Sequence, residues 1–411
     1  MPTASVGLPP LQSPTVRLIS ALFVVFAITA CSSSSNSESE YPPPSTPQAT
    51  ATPPSTPTSV PSPSPTAAVN LSPTPFSSPT PAPIPIETPA ASPTPTFRPP
   101  PKNDDRFGLI ASGPARDWQV QNLGATWFID FDSDPGDAPP GTRKVPFIQV
   151  APRIKRISPD RLATMVAAAP GSYWYIGGEP NVPQQGNMTP EAFVDEFDYY
   201  ATEIRAADPS ARIMGPSILN WDFMCTGGCG GFRSGESWMR SFIDAYAANH
   251  DGDPPPVDVW SIDAYPLTWN TVPMTNWQIV RDQILGFRQY LADEVPGHSS
   301  TPIWVTELAS HWAFSAWAIK DSALAIPPDL DIEADYLWDE MEGYMDGILG
   351  WLKSEGPAIN VDRWFFFKGY VDIEASSPEG YAGIYFYENG EEGASLNQLG
   401  EIYSDYIAGG R

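Results

Sequence analysis

The stretch YWYIGGEPN, from Tyr173 to Asn181, carries a single acid out of an apolar run. Aromatic and β-branched residues that end in glycines are typical of a buried strand followed by a turn. Glu179 stands directly before Pro180, whose ring restricts the backbone of the residue that precedes it. The pattern predicts a carboxylate held at the carboxyl end of a strand, and the other strands decide whether it has a partner.

Past residue 104, short apolar runs alternate with segments of helical spacing. One helix start is predicted at Ser158-Pro159-Asp160, which combines a capping hydroxyl, a proline at the first position and an acid in the first turn. Eight strands that alternate with helices over about 300 residues predict a (β/α)8 TIM barrel. The predicted strands are 107–112, 126–131, 145–150, 173–177, 212–216, 257–264, 302–306 and 363–367.

The unit between strands two and three departs from this alternation. Its sequence DSDPGDAPPGTRK, residues 132–144, has no helical spacing, so we expect a loop in place of the helix. A doubly wound open sheet is the alternative fold, and it would need a glycine-rich phosphate turn after an early strand. The sequence shows no such turn, so the barrel is the favoured fold for residues 104–411.

The first 30 residues are typical of an export signal. Arg17 precedes the 13-residue apolar run Leu18–Ala30, which is shorter than the about 20 residues that a membrane-spanning helix needs. Cys31 follows directly, and the sequence ITAC resembles a bacterial lipobox, which implies cleavage before Cys31 and a lipid on its sulfur. An ordinary secretory signal with an incidental cysteine is the alternative. We expect an extracellular lipoprotein anchored to the membrane.

Residues 31–103 hold 22 of the 50 prolines of the chain, together with many serines, threonines and alanines. Proline fixes φ and removes an amide donor, so this composition cannot build a sheet or a core. We predict a disordered tether, which would reach on the order of 200 Å if fully extended at about 3 Å per residue.

The charge of the chain lies in residues 104–411, which keep 45 acidic and 19 basic residues and a net charge of −26. Such a surface repels phosphates, so we expect no nucleic-acid partner and a neutral ligand. With Cys31 assigned to lipid, Cys225 and Cys229 remain, and an exported protein favours a disulfide between them. Three cysteines cannot form a four-cysteine zinc site, and we predict no metal and no cofactor.

The active site of a (β/α)8 barrel is built from residues just past the carboxyl ends of its strands. Strand four delivers Glu179, and the sequence PIWVTELA, residues 302–309, delivers Glu307 at strand seven. These strands lie on facing parts of the ring, so the two carboxylates can converge, as glycoside hydrolysis requires. The candidate substrate-binding residues at the same edge are Asn181, Asn220, Trp221, Tyr265, Trp269, Trp312, Phe366 and Lys368.

Two local phrases carry a resemblance to a known group. Glu-Pro after strand four and Trp-Val-Thr-Glu at strand seven resemble clan A of the glycoside hydrolases, and PIWVTELA is similar to its catalytic-core members, which include β-1,3-glucanases. The resemblance implies that Glu179 is the acid/base, that Glu307 is the nucleophile and that Tyr265 hydrogen-bonds the nucleophile. The chain departs from the group at Gly178, where asparagine is usual, and at Asp263, where relatives often place histidine.

Taken together, these patterns predict a tethered, retaining hydrolase of a neutral β-linked polysaccharide or oligosaccharide, with β-glucan favoured, that acts as a monomer. A non-catalytic glycan-binding barrel is the alternative, and Gly178 is the residue that favours it. A lyase or aldolase would need a Schiff-base lysine at a strand end, for which Lys368 is the one candidate at the mouth.

Overall fold

The structure is a computed structural model that describes residues 103–136, 138–182, 185–222, 234–267, 275–310, 338–370 and 386–411. Within these ranges, none of the helices combines the length and the apolar character needed to cross a bilayer. Several predictions lie outside the described residues: the signal peptide, the tether, Cys31, Cys225, Cys229, Trp269 and Trp312.

The described residues contain one sheet of nine strands, and every pair of neighbouring strands is parallel. The strand order is β3-β2-β1-β9-β8-β7-β6-β5-β4. The strands are β1 Phe107–Ile110, β2 Trp127–Ile129, β3 Arg143–Lys144, β4 Phe147–Ile148, β5 Tyr173–Ile176, β6 Arg212–Leu219, β7 Val259–Ala264, β8 Ile303–Leu308 and β9 Val361–Phe367.

The two shortest strands, β3 and β4, are halves of one strand that closes the ring. The amides of Val145 and Phe147 donate toward β2, to the carbonyls of Phe128 and Asp132, at 2.9 and 3.1 Å. On the other side, the Pro146 carbonyl accepts from the Tyr175 amide of β5 at 3.0 Å. Because proline has no amide to donate, the strand is interrupted at Pro146. The sheet is therefore an eight-stranded parallel barrel, as predicted.

The helices lie between successive strands along the chain. They are α1 Arg116–Leu123, α2 Pro159–Ala168, α3 Pro190–Ala207, α4 Gly235–Asn249, α5 Trp277–Glu294, α6 Trp338–Ser354 and α7 Gln398–Ile407. Helix α2 begins at Pro159 as predicted, but the Ser158 hydroxyl makes no capping hydrogen bond. Helix α3 has such a cap, since the Thr189 hydroxyl accepts from the Ala192 amide at 3.3 Å and Pro190 occupies the first position. Apolar side chains on the inner faces of these helices pack on the barrel wall.

A loop joins β2 to β3, and no helix occurs among the described residues between them, as predicted. Lys144 holds this loop, because its ammonium group donates to the Asp134 carbonyl at 2.6 Å and pairs with Asp130 at 2.8 Å. Arg116 of α1 pairs with the same Asp130 carboxylate at 2.8 Å. The buried charge of Asp130 is thus balanced by two cations, and salt bridges take the place of helix packing at this part of the wall.

Aromatic side chains fill the amino-terminal end of the barrel. The rings of Trp127 and Trp304 meet edge to face with centroids 5.3 Å apart, and Tyr173 packs on Trp304 at 4.6 Å. The Arg363 guanidinium lies over both tryptophans, at 4.4 Å from the Trp127 ring and 4.8 Å from the Trp304 ring. Within the described residues, this packing fills the amino-terminal end, so the candidate site is expected at the carboxyl end of the strands.

Candidate active site

Glu179 lies three residues past the end of β5, in a tight turn. Its φ of 45° is in the left-handed region, which is uncommon for a residue other than glycine. The Glu179 amide donates to the Ser217 carbonyl of β6 at 2.9 Å, and its carbonyl accepts from the amides of Val182 and Gly186 at 3.0 and 3.2 Å. Three backbone hydrogen bonds therefore hold this strained residue in place, as is common at functional sites.

Glu307 reaches the same region through an irregularity in β8. In the pairing of β7 with β8, Ile262 stands opposite Val305, but the next residue, Asp263, stands opposite Glu307. Thr306 is the extra residue of this bulge, and its hydroxyl hydrogen-bonds Asp263 inside the barrel at 2.8 Å. The bulge thus directs both Thr306 and Glu307 toward groups at the mouth, an effect that bulges commonly have beside active sites.

Three carboxylates meet at the mouth. One oxygen from each of Glu179, Asp263 and Glu307 lies within 4.8 Å of the other two. Asp263 has no exposed surface; its Oδ1 accepts from the Thr306 hydroxyl, while its Oδ2 has no hydrogen-bond partner in the described part of the chain. The sequence analysis paired the two glutamates and noted Asp263 as a departure from the related group, without including it among the candidate site residues. An acid inside an apolar strand was the available indication, because buried carboxylates are costly and rare.

Burial and mutual repulsion shape the titration of this cluster. Burial, followed by the charge of Asp263, raises the pKa of Glu179 well above its usual value. Burial and both neighbouring acids also raise the pKa of Glu307, whereas the Tyr265 hydroxyl and the Lys368 ammonium oppose that rise. Burial raises the pKa of Asp263 to about 7, against the Ser217 and Thr306 hydroxyls. The three groups therefore do not all ionise near neutral pH. The site then contains a protonated carboxyl group, which can act as an acid, beside an ionised one, which can act as a base or nucleophile.

Tyr265 and Lys368 both act on Glu307. The Tyr265 hydroxyl donates to Oε2 of Glu307 at 2.5 Å, and burial raises the pKa of this hydroxyl, so it stays a donor. Lys368 is half-buried, and desolvation lowers its pKa, while Glu307 opposes that change; its ammonium donates to the Ser112 hydroxyl at 3.5 Å. The Tyr265 hydrogen bond and the charge of Lys368 therefore both favour the ionised form of Glu307.

Asn181 and Asn220 hold the backbone around the site. Asn181 exchanges two hydrogen bonds with Leu219, donating to its carbonyl at 3.3 Å and accepting from its amide at 3.1 Å. Asn220 is fully buried with a φ of 49°, and its Oδ1 accepts from the Tyr265 amide at 3.0 Å. Their predicted contacts with substrate stay predictions, and the structure adds a positioning role for both.

Trp221 and Phe366 are corrected, because neither ring faces the mouth. The Trp221 ring packs against Phe287 and Tyr290 of α5, with centroids 5.1 and 5.2 Å away, and it is 5% exposed. Phe366 is fully buried outside the barrel, stacked on Phe386 at 4.4 Å. Side chains alternate along a strand, so the inward residue is Phe367, whose ring lies 6.5 Å from that of Tyr265. A sugar platform is excluded at both predicted positions.

Because Gly178 has no side chain, the ring of Phe147 can occupy the space beside it. A Cβ at this position would lie 2.9 Å from two ring atoms of Phe147, in β4, and 3.5 Å from the Tyr175 hydroxyl. The closing strand therefore fills the space beside Glu179 at the position where the resemblance implied asparagine. Clusters of carboxylates can also attract cations, but here the Tyr265 hydroxyl bonds Glu307 and the charge of Lys368 acts on it, and we assign no metal ligand.

A closed parallel barrel with a pair of close glutamates at its carboxyl end has the architecture and the site of a glycoside hydrolase. Residues 108–403 match the family described as the glycosyl hydrolase catalytic core. Since this match spans more than half of the chain, the protein belongs to that family.

Several solved structures align with the chain, whereas no curated protein matches it. A GH128 (subgroup II) endo-β-1,3-glucanase from Pseudomonas viridiflava is 21% identical, with a TM-score of 0.48 over 74% of this chain and 97% of that chain. A second subgroup II enzyme, from Sorangium cellulosum, is 16% identical, with a TM-score of 0.49 over 73% and 98%. A subgroup I enzyme from Amycolatopsis mediterranei, solved with laminaritriose, is 20% identical, with a TM-score of 0.46 over 74% and 100%.

Proposed function

We propose that the protein hydrolyses a neutral β-linked glucan with retention of configuration at the anomeric carbon. The observation that carries this proposal is the approach of Glu179 and Glu307, whose closest oxygens lie within 4.8 Å. Retaining enzymes hold their carboxyl groups about 5–5.5 Å apart, whereas inverting enzymes need about 6.5–9.5 Å to admit a water molecule. The close approach of one oxygen from each carboxylate is compatible with the retaining geometry, and it supports direct attack by one carboxylate on the sugar.

The surroundings of the two glutamates support a division of roles. Burial and the neighbouring acids raise the pKa of Glu307 as well, but Tyr265 and Lys368 oppose that rise and so favour the ionised form that a nucleophile requires. Burial and the charge of Asp263 favour the protonated form of Glu179, as a general acid requires. In the first step Glu307 attacks the anomeric carbon and the Glu179 proton passes to the leaving oxygen. In the second step Glu179 takes a proton from water, which displaces Glu307.

The proposed substrate class follows from charge and from family. A net charge of −26 disfavours anionic polymers and leaves neutral glycans as suitable ligands. The catalytic-core family and the phrase PIWVTELA favour a β-glucan, and β-1,3-linked chains are the first substrates to test.

We also propose that the barrel works outside the cell membrane, held by a lipid on Cys31 and by the tether of residues 31–103. The apolar run before Cys31 and the proline-rich composition after it support this arrangement. Metabolic labelling with a radioactive fatty acid tests it, since the natural chain should take up label and Cys31→Ser should not. Label in neither protein would contradict the anchor.

The hydrolysis is tested with the natural protein, Glu179→Gln and Glu307→Gln on soluble β-1,3-glucan, with Glu203→Gln on helix α3 as a matched control. We expect both site variants to lose at least about 10³-fold in kcat and the control to keep its activity. Proton NMR of the first product should show the β-anomer. An α-anomer would establish inversion, and binding without turnover by the natural protein would favour the glycan-binding alternative.

A further inference from the structure

Asp263 is placed where it can act on both glutamates. Asp263 lies on β7, whose neighbour on one side is β8, the strand that carries Glu307. Its neighbour on the other side is β6, and the next strand beyond is β5, which leads to Glu179. The β7–β8 register sets Asp263 directly opposite Glu307. Its carboxylate lies within 4.8 Å of a carboxylate oxygen of each glutamate, in a position without solvent exposure.

Hydrogen bonding satisfies only part of the Asp263 carboxylate. Oδ1 accepts from the Thr306 hydroxyl at 2.8 Å, and that hydroxyl also contacts Ser217 at 2.8 Å. Oδ2 has no partner in the described part of the chain. An unsatisfied buried carboxylate oxygen destabilises the folded state, so Asp263 is held in this position at a cost in stability.

The charged and titratable groups that face Asp263 come from four elements. Tyr175 and Glu179 belong to β5 and the turn after it, Tyr265 follows β7, and Glu307 belongs to β8. Lys368, which follows β9, is the positively charged side chain found beside these groups among the described residues, and its charge acts on Glu307. Three acids and one such cation cannot all be charged in a buried site, so the cluster holds at least one proton near neutral pH.

We propose that Asp263 is the third acid of the site, a positioning residue whose negative charge, at a pH where Asp263 is ionised, holds the proton on Glu179, while Lys368 and Tyr265 favour the ionised form of Glu307. This inference rests on the proposed function for its catalytic meaning. Repulsion between Asp263 and Glu179 makes loss of the Glu179 proton unfavourable. Glu179 then stays protonated at a pH at which a glutamate that faced only Glu307 would already have lost its proton.

The isosteric variant Asp263→Asn removes the charge and keeps an oxygen that can accept from Thr306. Without that charge both glutamates release their protons more easily, so both limbs of the pH profile of kcat/KM should move to lower pH, by about one to two units. Ser261→Ala is the matched control, since Ser261 is also buried in β7 and bonds the Gly215 carbonyl. An alkaline limb that stays in place in Asp263→Asn would overturn the proposal.

A measurement without substrate separates this inference from the proposed function. Infrared titration of the natural protein and of Glu179→Gln identifies the carbonyl band of protonated Glu179, and Asp263→Asn should lose that band at a lower pH. If no glycan is hydrolysed but the band shifts, the proposed function fails and the role of Asp263 stands. If the band titrates at the same pH in both proteins, the inference fails. Asp263→Ser replaces the asparagine variant should that protein not fold.

Discussion

The hydroxyl of Tyr265 donates a hydrogen bond to Oε2 of Glu307 at 2.5 Å, from the end of the neighbouring strand. This contact lowers the pKa of Glu307, so its loss should raise that pKa and shift the acidic limb of kcat/KM to higher pH. We expect Tyr265→Phe to reduce kcat/KM about 10- to 100-fold at neutral pH, as for a hydrogen bond to a charged group. Tyr344→Phe is the control, because its hydroxyl bonds the Ala309 carbonyl instead. An unchanged acidic limb in Tyr265→Phe would contradict the assigned contact.

Gly186 approaches the Glu179 turn too closely to tolerate a side chain. A Cβ at this position would lie 2.5 Å from Pro180 Cα and 3.1 Å from the Glu179 carbonyl oxygen. We expect Gly186→Ala to move the turn and to lower kcat about 10- to 100-fold, since small displacements of a catalytic group have effects of this size. The measurement is steady-state kinetics of the folded variant.

Gly343 in helix α6 offers the matched control for that substitution. A Cβ there would meet no heavy atom within 4 Å. Gly343→Ala should therefore leave kcat unchanged and raise the free energy of unfolding by up to about 1 kcal/mol through helix propensity. Natural activity in Gly186→Ala would show that the turn does not depend on this close approach.

Trp221 should matter for stability and not for substrate binding. Its ring fills the space between the barrel wall and α5, where it packs on Phe287 and Tyr290. Trp221→Ala should lower the free energy of unfolding by about 3–5 kcal/mol, as for a buried aromatic side chain. Chemical denaturation measures that loss, and kinetics at low temperature should show an unchanged KM. A raised KM with natural stability would restore Trp221 as a substrate contact.

The buried Asp263 carboxyl also makes stability depend on pH. In the unfolded chain an aspartate titrates near about 3.9, whereas in the folded protein burial raises the pKa of Asp263 to about 7. The folded state binds more protons between these values, so the contribution of Asp263 is fully present below the lower pKa. It is lost as pH rises through the higher one.

Asp263→Asn should therefore melt at a higher temperature than the natural protein above pH 7, by at least about 2 °C. The difference should shrink as pH falls toward about 4 and level off below it, where the natural carboxyl is protonated in both states. Scanning calorimetry over this range provides the measurement, with Ser261→Ala showing the pH dependence of the unaltered cluster. If the difference in melting temperature between the natural protein and Asp263→Asn did not change with pH, the raised pKa of Asp263 would be contradicted.

The fold could be predicted because each strand and helix carries its own local pattern. Strand five, YWYI, and the helix that Thr189 caps are determined by neighbours in sequence, and the alternation of such units indicates a barrel. Glu179 and Glu307 could be placed at one edge, because parallel strands present their carboxyl ends on the same side.

The features of the site that could not be predicted depend on the pairing register between neighbouring strands. The bulge at Thr306 involves pairing between β7 and β8, which no local pattern records, and it brings Asp263 opposite Glu307. Phe366 was assigned to the mouth although the inward position is Phe367, because a shift of one residue reverses the face of every side chain. Trp221 was misplaced for a related reason, since the backbone turns away from the mouth at Asn220, where φ is 49°.

The interruption at Pro146 divides assembly of the barrel into two events. The strands from β5 round to β2 pair along most of their length, but closure rests on the six residues from Arg143 to Ile148. We expect this closure to form late in folding and to open first in the native protein. Amide hydrogen exchange should then be faster at Tyr175 and Gly177, which donate across the closure, than at Val305 in the middle of β8. The molecule would behave as an open parallel sheet whose two edges are joined by β3 and β4, and this junction lies beside Glu179.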